Sequence, residues 1–200
     1  MHGLINSAIE VFVREIFGME TWQNVARRAG LGFTQFEGML SYDDQLTYDV
    51  IDALCVELDR PRLDLLEDLG TFLVSHPRME RLRRLMRFSG ETYLEFLLSL
   101  DDLPDRVRLA VSDLDLPALS LHDLGEGQFE LICDSGISGY NHVMMGVLRA
   151  MADDYGALVM LDSKGANRQR HVIGIQLIDD SFNKARDFDL GAREMGTREA

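Results

Sequence analysis

Apolar residues recur at helical spacing throughout the first half of the chain. The first helix predicted in this way places its apolar face at Ile5, Ile9, Phe12, Val13 and Ile16, and Gly18 follows as a stop. The same spacing predicts helices over residues 21–29, 46–58, 63–73, 79–86, 93–98 and 107–111. The first half of the chain is therefore expected to form a helical lobe.

The pattern changes in the second half. Phe129, Leu131 and Cys133 alternate with residues of the opposite face and follow a turn at residues 125–127, which predicts a strand. Beyond it the chain predicts a helix over residues 143–155, then strands around 158–161 and 172–178 separated by a turn at 163–167. The order predicts an α+β domain, with an amino-terminal helical lobe and a carboxy-terminal antiparallel sheet that contains one inserted helix.

Length and composition narrow the class of protein. At 200 residues and 46% hydrophobic the chain suits one domain, which we place at residues 1–182, with a polar and flexible tail at 183–200. The net charge of −14 repels a phosphate backbone and argues against nucleic acid as a partner. No apolar run approaches the length of a membrane span, no signal peptide is recognisable, and the two cysteines suggest neither a disulfide framework nor a zinc site. A reducing cytoplasm is the expected compartment.

Three stretches of the sequence resemble the H-NOX family of heme nitric oxide/oxygen binding domains. They are the amino-terminal run at residues 1–6, the segment 96–103 that leads into Pro104, and the spacing from Ser135 through Gly139 to Gly146. The resemblance spans roughly residues 1–180, which is nearly the whole chain. The resemblance implies the same α+β arrangement, with a heme held between the helical lobe and the sheet by one axial histidine.

The motif that carries this histidine in the family, Leu-His-x-x-Val, corresponds here to residues 103–107, and Pro104 stands where the histidine is expected. An axial ligand must offer a lone pair on nitrogen, sulfur or oxygen, and the proline ring offers none. Pro104 alone is well explained as the start of a helix, because its φ is preset for the first turn. The resemblance therefore implies a heme pocket that lacks its usual ligand, and heme is a questionable cofactor.

A second family signature, Tyr-x-Ser-x-Arg, holds the heme propionates. It corresponds to residues 133–137, where Cys133 replaces the tyrosine, Ile137 replaces the arginine and only Ser135 is retained. Without the guanidinium the propionates lose their counter-charge, and Asp134 would repel them if it faced the site. Two independent features that hold heme are thus absent together.

Two other residues are candidate axial ligands. His142 is the better one because it lies on the helix that lines the pocket in the family, although a lone histidine on a helix is more often a hydrogen-bonding side chain. Cys133 is the alternative, as a thiolate, although strand cysteines more often fill the core. The apolar lining implied by the resemblance consists of Leu4, Ile5, Leu97, Leu100, Pro117, Val143, Met144 and Val147. These side chains either close the cavity or leave room for an unusual heme or another apolar molecule.

The functional expectation is a sensory or regulatory domain, not an enzyme. By resemblance to bacterial family members, its partner would be a signalling protein such as a histidine kinase or a diguanylate cyclase. The first alternative is a heme-dependent sensor of NO or O2 that uses His142. The second is an oligomeric scaffold that uses the basic helix over residues 78–87, which carries five arginines on an acidic chain. Covering apolar surface is the simpler role for those arginines.

Overall fold

A computed structural model of the chain describes residues 1–88, 90–134, 136–167 and 170–180. The helical lobe contains α1 (Gly3–Ile16), α2 (Met19–Arg28), α3 (Asp44–Leu58), α4 (Arg62–Ser75), α5 (Glu80–Arg87), α6 (Tyr93–Leu98) and α7 (Leu103–Ala110). Then follow β1 (Ala118–Gly125), β2 (Gln128–Asp134), α8 (Tyr140–Tyr155), β3 (Leu158–Asn167) and β4 (Arg170–Asp179). Short 3-10 turns at Pro77–Met79 and Leu100–Asp102 precede α5 and α7. The predicted arrangement of a helical lobe followed by an antiparallel sheet with one inserted helix is confirmed.

Three local predictions were wrong. The strand β1 was missed, because its residues 122–125 are exposed and show no alternation of burial. The turn predicted at residues 163–167 belongs to β3, which continues through it with a bulge between Ser163 and Ala166. Helix α2 begins two residues before Thr21, whose hydroxyl donates to the carbonyl of Phe17 instead of capping the helix. The predicted boundary at residue 182 and the tail at 183–200 lie outside the described residues.

The four strands form one antiparallel sheet in the order β1-β2-β4-β3. Along β2 the side chains of Phe129, Leu131 and Cys133 are buried, as the alternation predicted. Helix α8 connects β2 to β3, and its apolar face contributes Leu148 and Met151 to the same core. The inserted helix is thus an integral part of the sheet's packing.

The buried side chains form two clusters. The helical core is built from α1 to α4 and centres on Phe12, Trp22 and Leu65. The sheet core is built from α6, α7, α8 and the inner face of the sheet, and it centres on Phe96 and Leu131. Most of each cluster is almost completely removed from solvent. The chain therefore folds as two packed layers that must meet along a shared boundary.

Helices α4 and α8 form that boundary. A Cβ placed on Gly70 of α4 would lie 2.0 Å from the carbonyl oxygen of Val143, and one placed on Gly146 of α8 would lie 2.0 Å from the carbonyl oxygen of Glu67. Real side chains do not tolerate such distances, so the two backbones approach closely only because both positions are glycine. The spacing between the helical and sheet cores depends on these two residues.

Candidate functional site

Pro104 lies in the first turn of α7 and is buried. Leu103 and Val107, which flank it on the same helix, belong to the sheet core. The 3-10 turn Leu100–Asp102 leads directly into this position, so the proline continues a backbone that is already turning. The buried ring presents only carbon atoms to its surroundings and provides no ligand atom.

Cys133 lies on the inner face of β2, and none of its surface is exposed. Burial raises the pKa of its thiol to about 12. A metal ligand or nucleophile must be the thiolate, and this environment keeps the sulfur protonated at neutral pH. The position suits a core residue and disfavours an axial sulfur ligand.

His142 lies on α8 but faces α4. Its Nδ1 is 3.3 Å from Oε1 of Glu67, whose other oxygen accepts a hydrogen bond from Arg149 at 2.8 Å. At about 3.6 residues per turn, Met151 lies half a turn around α8 from His142, and Met151 faces the sheet core. The imidazole therefore points away from the sheet core and is engaged by a carboxylate.

The predicted lining residues divide between the two cores. Leu97, Leu100, Met144, Cys133 and Val147 come together in the sheet core, where each has at most 3% of its surface exposed. Ile5 and Val143 instead pack against the helical core, and both are half-buried. Leu4 lies against Gly38, and Pro117 is half-buried before β1. The structure thus brings four of the eight predicted lining residues together with the candidate ligand Cys133, and it does not place the other four in the sheet core.

The residues gathered in the sheet core touch one another with almost no surface accessible to a water molecule. A cavity wide enough for a porphyrin would leave its walls accessible to water. Ser135, the single retained residue of the propionate signature, lies outside the described residues. Asp134 is exposed at the end of β2, on the solvent side. As placed, Pro104, Cys133 and His142 do not fit an axially ligated heme in the sheet core.

Two residues near this region were missed by the sequence analysis. Tyr140 opens α8, and burial together with the neighbouring Cys133 raises the pKa of its phenol well above the usual range. Its ring is nevertheless only half-buried, and its hydroxyl has no hydrogen-bond partner within the described residues. Glu67 is the carboxylate that orients His142. The contact between His142 and Glu67 joins residues 75 positions apart in sequence, so no local pattern indicates it.

The arginines of α5 are largely engaged within the molecule. Arg83 and Arg87 both contact Asp154 at the carboxyl end of α8, and the Arg87 guanidinium lies 4.1 Å from the centre of the Tyr155 ring. Arg84 pairs with Glu80 one turn earlier on the same helix. The helix therefore docks on acidic groups of this chain, which weakens its interpretation as an oligomerisation surface. Within the described ranges, no group of three or more His, Cys, Asp or Glu residues could hold a metal ion.

Comparison with known proteins agrees with the arrangement of helices, sheet and inserted helix. The family model described as Haem-NO-binding (HNOB) matches residues 2–161, about four fifths of the chain. The chain belongs to the Haem-NO-binding family. This family comprises the H-NOX domains, which are sensor domains without catalytic activity of their own. The predicted family and fold class are thereby confirmed.

Curated relatives are guanylate cyclases. The soluble guanylate cyclase 89Db of Drosophila melanogaster is 21% identical over 160 residues, which cover 80% of this chain and 24% of that protein. The soluble guanylate cyclase gcy-31 of Caenorhabditis elegans is 23% identical over 154 residues, which cover 77% of this chain and 22% of that protein. The chain spans about a quarter of the length of these relatives.

Solved H-NOX proteins share the fold. An H-NOX protein from S. oneidensis in the Fe(II) ligation state superposes with a TM-score of 0.78 at 17% identity, covering 92% of this chain and 99% of that one. The Fe(II) unliganded H-NOX protein from K. algicida gives a TM-score of 0.77 at 16% identity, covering 91% and 99%. At these identities the likeness establishes the fold alone. In the described part of the H-NOX chain, no helix is both long and apolar enough to cross a bilayer.

Proposed function

We propose that this H-NOX domain is a sensory or regulatory module that signals to a partner protein without a histidine-ligated heme. Pro104 is the observation that carries the proposal, because it lies buried at the position where the family resemblance expects the iron ligand. A signal that is transmitted through an iron–histidine bond needs an imidazole at this position. This chain has none at that position, so any signal must arise in another way.

The environments of the two substitute ligands support the same proposal. The Cys133 thiol stays protonated because burial raises its pKa to about 12. The His142 ring is held 3.3 Å from Glu67 on the opposite side of α8 from the sheet core. Either residue would need a change of rotamer and of packing before it could reach a heme iron.

A signal without heme can come from any ligand that binds one arrangement of the two cores better than another. A small apolar molecule is the ligand class that we propose, because the side chains at the positions that line the family's pocket are apolar in this chain. A signalling enzyme such as a histidine kinase or a diguanylate cyclase would be the receiver. The cyclase domains of the longer relatives are consistent with this role.

A hemin titration of the full chain tests the proposal. We expect the absorbance of added hemin to remain that of free hemin, without an intense Soret band at one equivalent. The variants His142→Ala and Cys133→Ala should give the same spectrum as the wild-type chain. His122→Ala is the matched control for nonspecific imidazole binding, because His122 is exposed on β1.

The heme-dependent alternative makes the opposite prediction. A stoichiometric Soret band that disappears in His142→Ala but persists in His122→Ala would replace our proposal with a sensor ligated by His142. Loss of the band in Cys133→Ala alone would identify a thiolate ligand. Native mass spectrometry of the purified chain would in either case show whether an apolar molecule of another kind copurifies.

A further inference from the structure

Arg62, the first residue of α4, uses only part of its guanidinium within the described residues. Its Nη1 donates a hydrogen bond to Oδ1 of Asp52 at 2.8 Å. Its Nε and Nη2 are buried from solvent and have no hydrogen-bond partner in the described part of the chain. Buried donors are nearly always paired in native proteins, and leaving a charged one unpaired is costly. These two nitrogens therefore indicate an acceptor that the described residues do not supply.

The geometry of the two nitrogens indicates the kind of acceptor. Nε and Nη2 lie along one side of the planar guanidinium, where their N–H bonds run parallel and match the two oxygens of a carboxylate. Asp52 binds Nη1, which lies away from that side, and its own side chain is 62% exposed. A second carboxylate can therefore bind side-on to Arg62 without displacing Asp52.

Tyr48 of α3 lies beside this guanidinium. The Cζ atom of Arg62 is 5.5 Å from the centre of the Tyr48 ring. The Tyr48 hydroxyl accepts a hydrogen bond from the Ser138 amide at 3.4 Å, which is longer than usual, and no described group accepts the proton of that hydroxyl. Tyr48 therefore adds a third unused donor next to Arg62, on a side chain that is only half-buried.

The site lies where the helical lobe meets the loop before α8. A Cβ placed on Gly139, whose φ is +87°, would lie 2.3 Å from Cδ1 of Leu66, one turn after Arg62 on α4. The loop backbone thus packs directly against the side chain of Leu66, while Ser138 contacts α3 through Tyr48. A ligand held by Arg62 and Tyr48 would act on the segment that leads into α8.

Charge restricts the ligand to a monoanion. Asp52 already places one negative charge on the same guanidinium, and the whole chain carries a net charge of −14. A phosphate dianion would be repelled more strongly than a single carboxylate. A neutral ligand would form weaker hydrogen bonds with Arg62, because only one partner would be charged.

We propose that Arg62 and the Tyr48 hydroxyl bind the carboxylate of a small monocarboxylic acid with an apolar body. The acid reaches Nε and Nη2 of Arg62 when the Tyr48 ring turns aside and releases the Ser138 amide. This inference rests on the proposed function, because the apolar body is the ligand class proposed above and the carboxylate is its polar end.

Titrations of the full chain with sodium octanoate and sodium benzoate test the site. Calorimetry gives the Kd, and NMR follows the resonances of the Arg62 Nε–H group and the Ser138 amide. We expect saturable binding of at least one acid, with shifts of both resonances. Arg62→Gln and Arg62→Lys should each weaken binding about tenfold or more, because neither side chain presents two parallel charged donors. Tyr48→Phe should weaken binding about threefold or more, because it lacks the hydroxyl donor.

Arg60→Gln is the matched control. Arg60 lies just before α4, and its Nη1 already pairs with Asp68 at 2.6 Å, so this variant should bind the acids like the wild-type chain. Circular dichroism of each variant shows that it is folded before the titration.

Four results would overturn the proposal. They are a Kd weaker than about 10 mM for both acids, unchanged binding in Arg62→Gln, equal binding of 1-octanol, which would show that only the apolar body is recognised, and equal binding of inorganic phosphate, which would show an unselective anion site. Because these titrations contain no hemin, their failure is distinguishable from failure of the heme-independent function.

Discussion

Replacing Gly146 with alanine should push α4 and α8 apart. The added methyl group would lie 2.0 Å from the carbonyl oxygen of Glu67 and 2.8 Å from the amide nitrogen of Thr71. Nonbonded carbon atoms normally stay about 3.5 Å or more from such neighbours. Both obstructing atoms belong to the backbone, so no side-chain rotation can relieve the contact. The helices must separate by more than 1 Å at this point, an estimate that follows from the same contact distance.

The expected loss of stability is the balance of two effects. Overpacking a close contact costs about 1–3 kcal/mol, and a backbone-to-backbone clash between two long helices belongs at the upper end of that range. The substitution also stabilises the chain by about 1 kcal/mol, because alanine favours the helical conformation more than glycine does. We therefore expect Gly146→Ala to lower the free energy of unfolding by about 2 kcal/mol, which corresponds to about 4–8 °C in Tm for a chain of this size.

Urea denaturation of the full chain, followed by circular dichroism, measures this difference. Gly32→Ala is the control, because a Cβ at Gly32 meets no atom within 4 Å and its φ is not positive. The control should change stability by less than about 0.5 kcal/mol. The double variant Gly70→Ala/Gly146→Ala should lose less than the sum of its single variants, because one separation of the helices relieves both clashes. A Gly146→Ala chain as stable as the Gly32→Ala chain would refute the close packing of α4 on α8.

Two further predictions concern the sheet core and its borders. Because burial raises the pKa of Cys133 from 9.0 to about 12, its contribution to stability is complete below pH 9 and is lost as the pH rises toward 12. Between pH 9 and pH 12, Cys133→Val should therefore lose less unfolding free energy than the wild-type chain, as measured by urea denaturation. The same pH dependence in both chains would contradict the burial of the Cys133 thiol. Arg87→Met removes the contacts of Arg87 with Asp154 and Tyr155 and should cost about 1–2 kcal/mol in thermal unfolding. Arg84→Met, which breaks only an exposed pair, should cost less than about 0.5 kcal/mol, and equal losses would show that α5 is not anchored through Arg87.

The absence of a usable ligand at Pro104 changes how a signal could be generated. The helical and sheet cores meet at the glycine contact of α4 and α8, and Glu67 joins both sides there through His142 and Arg149. A ligand that altered this contact would shift one core against the other without any metal. The contact is thus a sensible place to look for an effect of ligands on partner binding.

The sequence by itself determined the family and the arrangement of a helical lobe before a sheet with one inserted helix. Helical spacing in α1, α3 and α4, and the alternation along β2, are local consequences of burying one face, so a single sequence reveals them. It also showed that Pro104 cannot bind iron, because that follows from the chemistry of one side chain. The strand β1 was not recognisable, because its exposed half lacks alternation and its pairing depends on β2.

Only the tertiary structure showed where the candidate site residues lie and what they contact. That His142 turns to Glu67, that Cys133 is fully enclosed, and that Ile5 packs in a different core from Leu97 all depend on helices brought together from distant parts of the chain. The position of β3 at the edge of the sheet likewise became clear only when the strand order was known. A periodic pattern indicates which face of an element is buried. Packing across the whole fold determines which residues that face contacts.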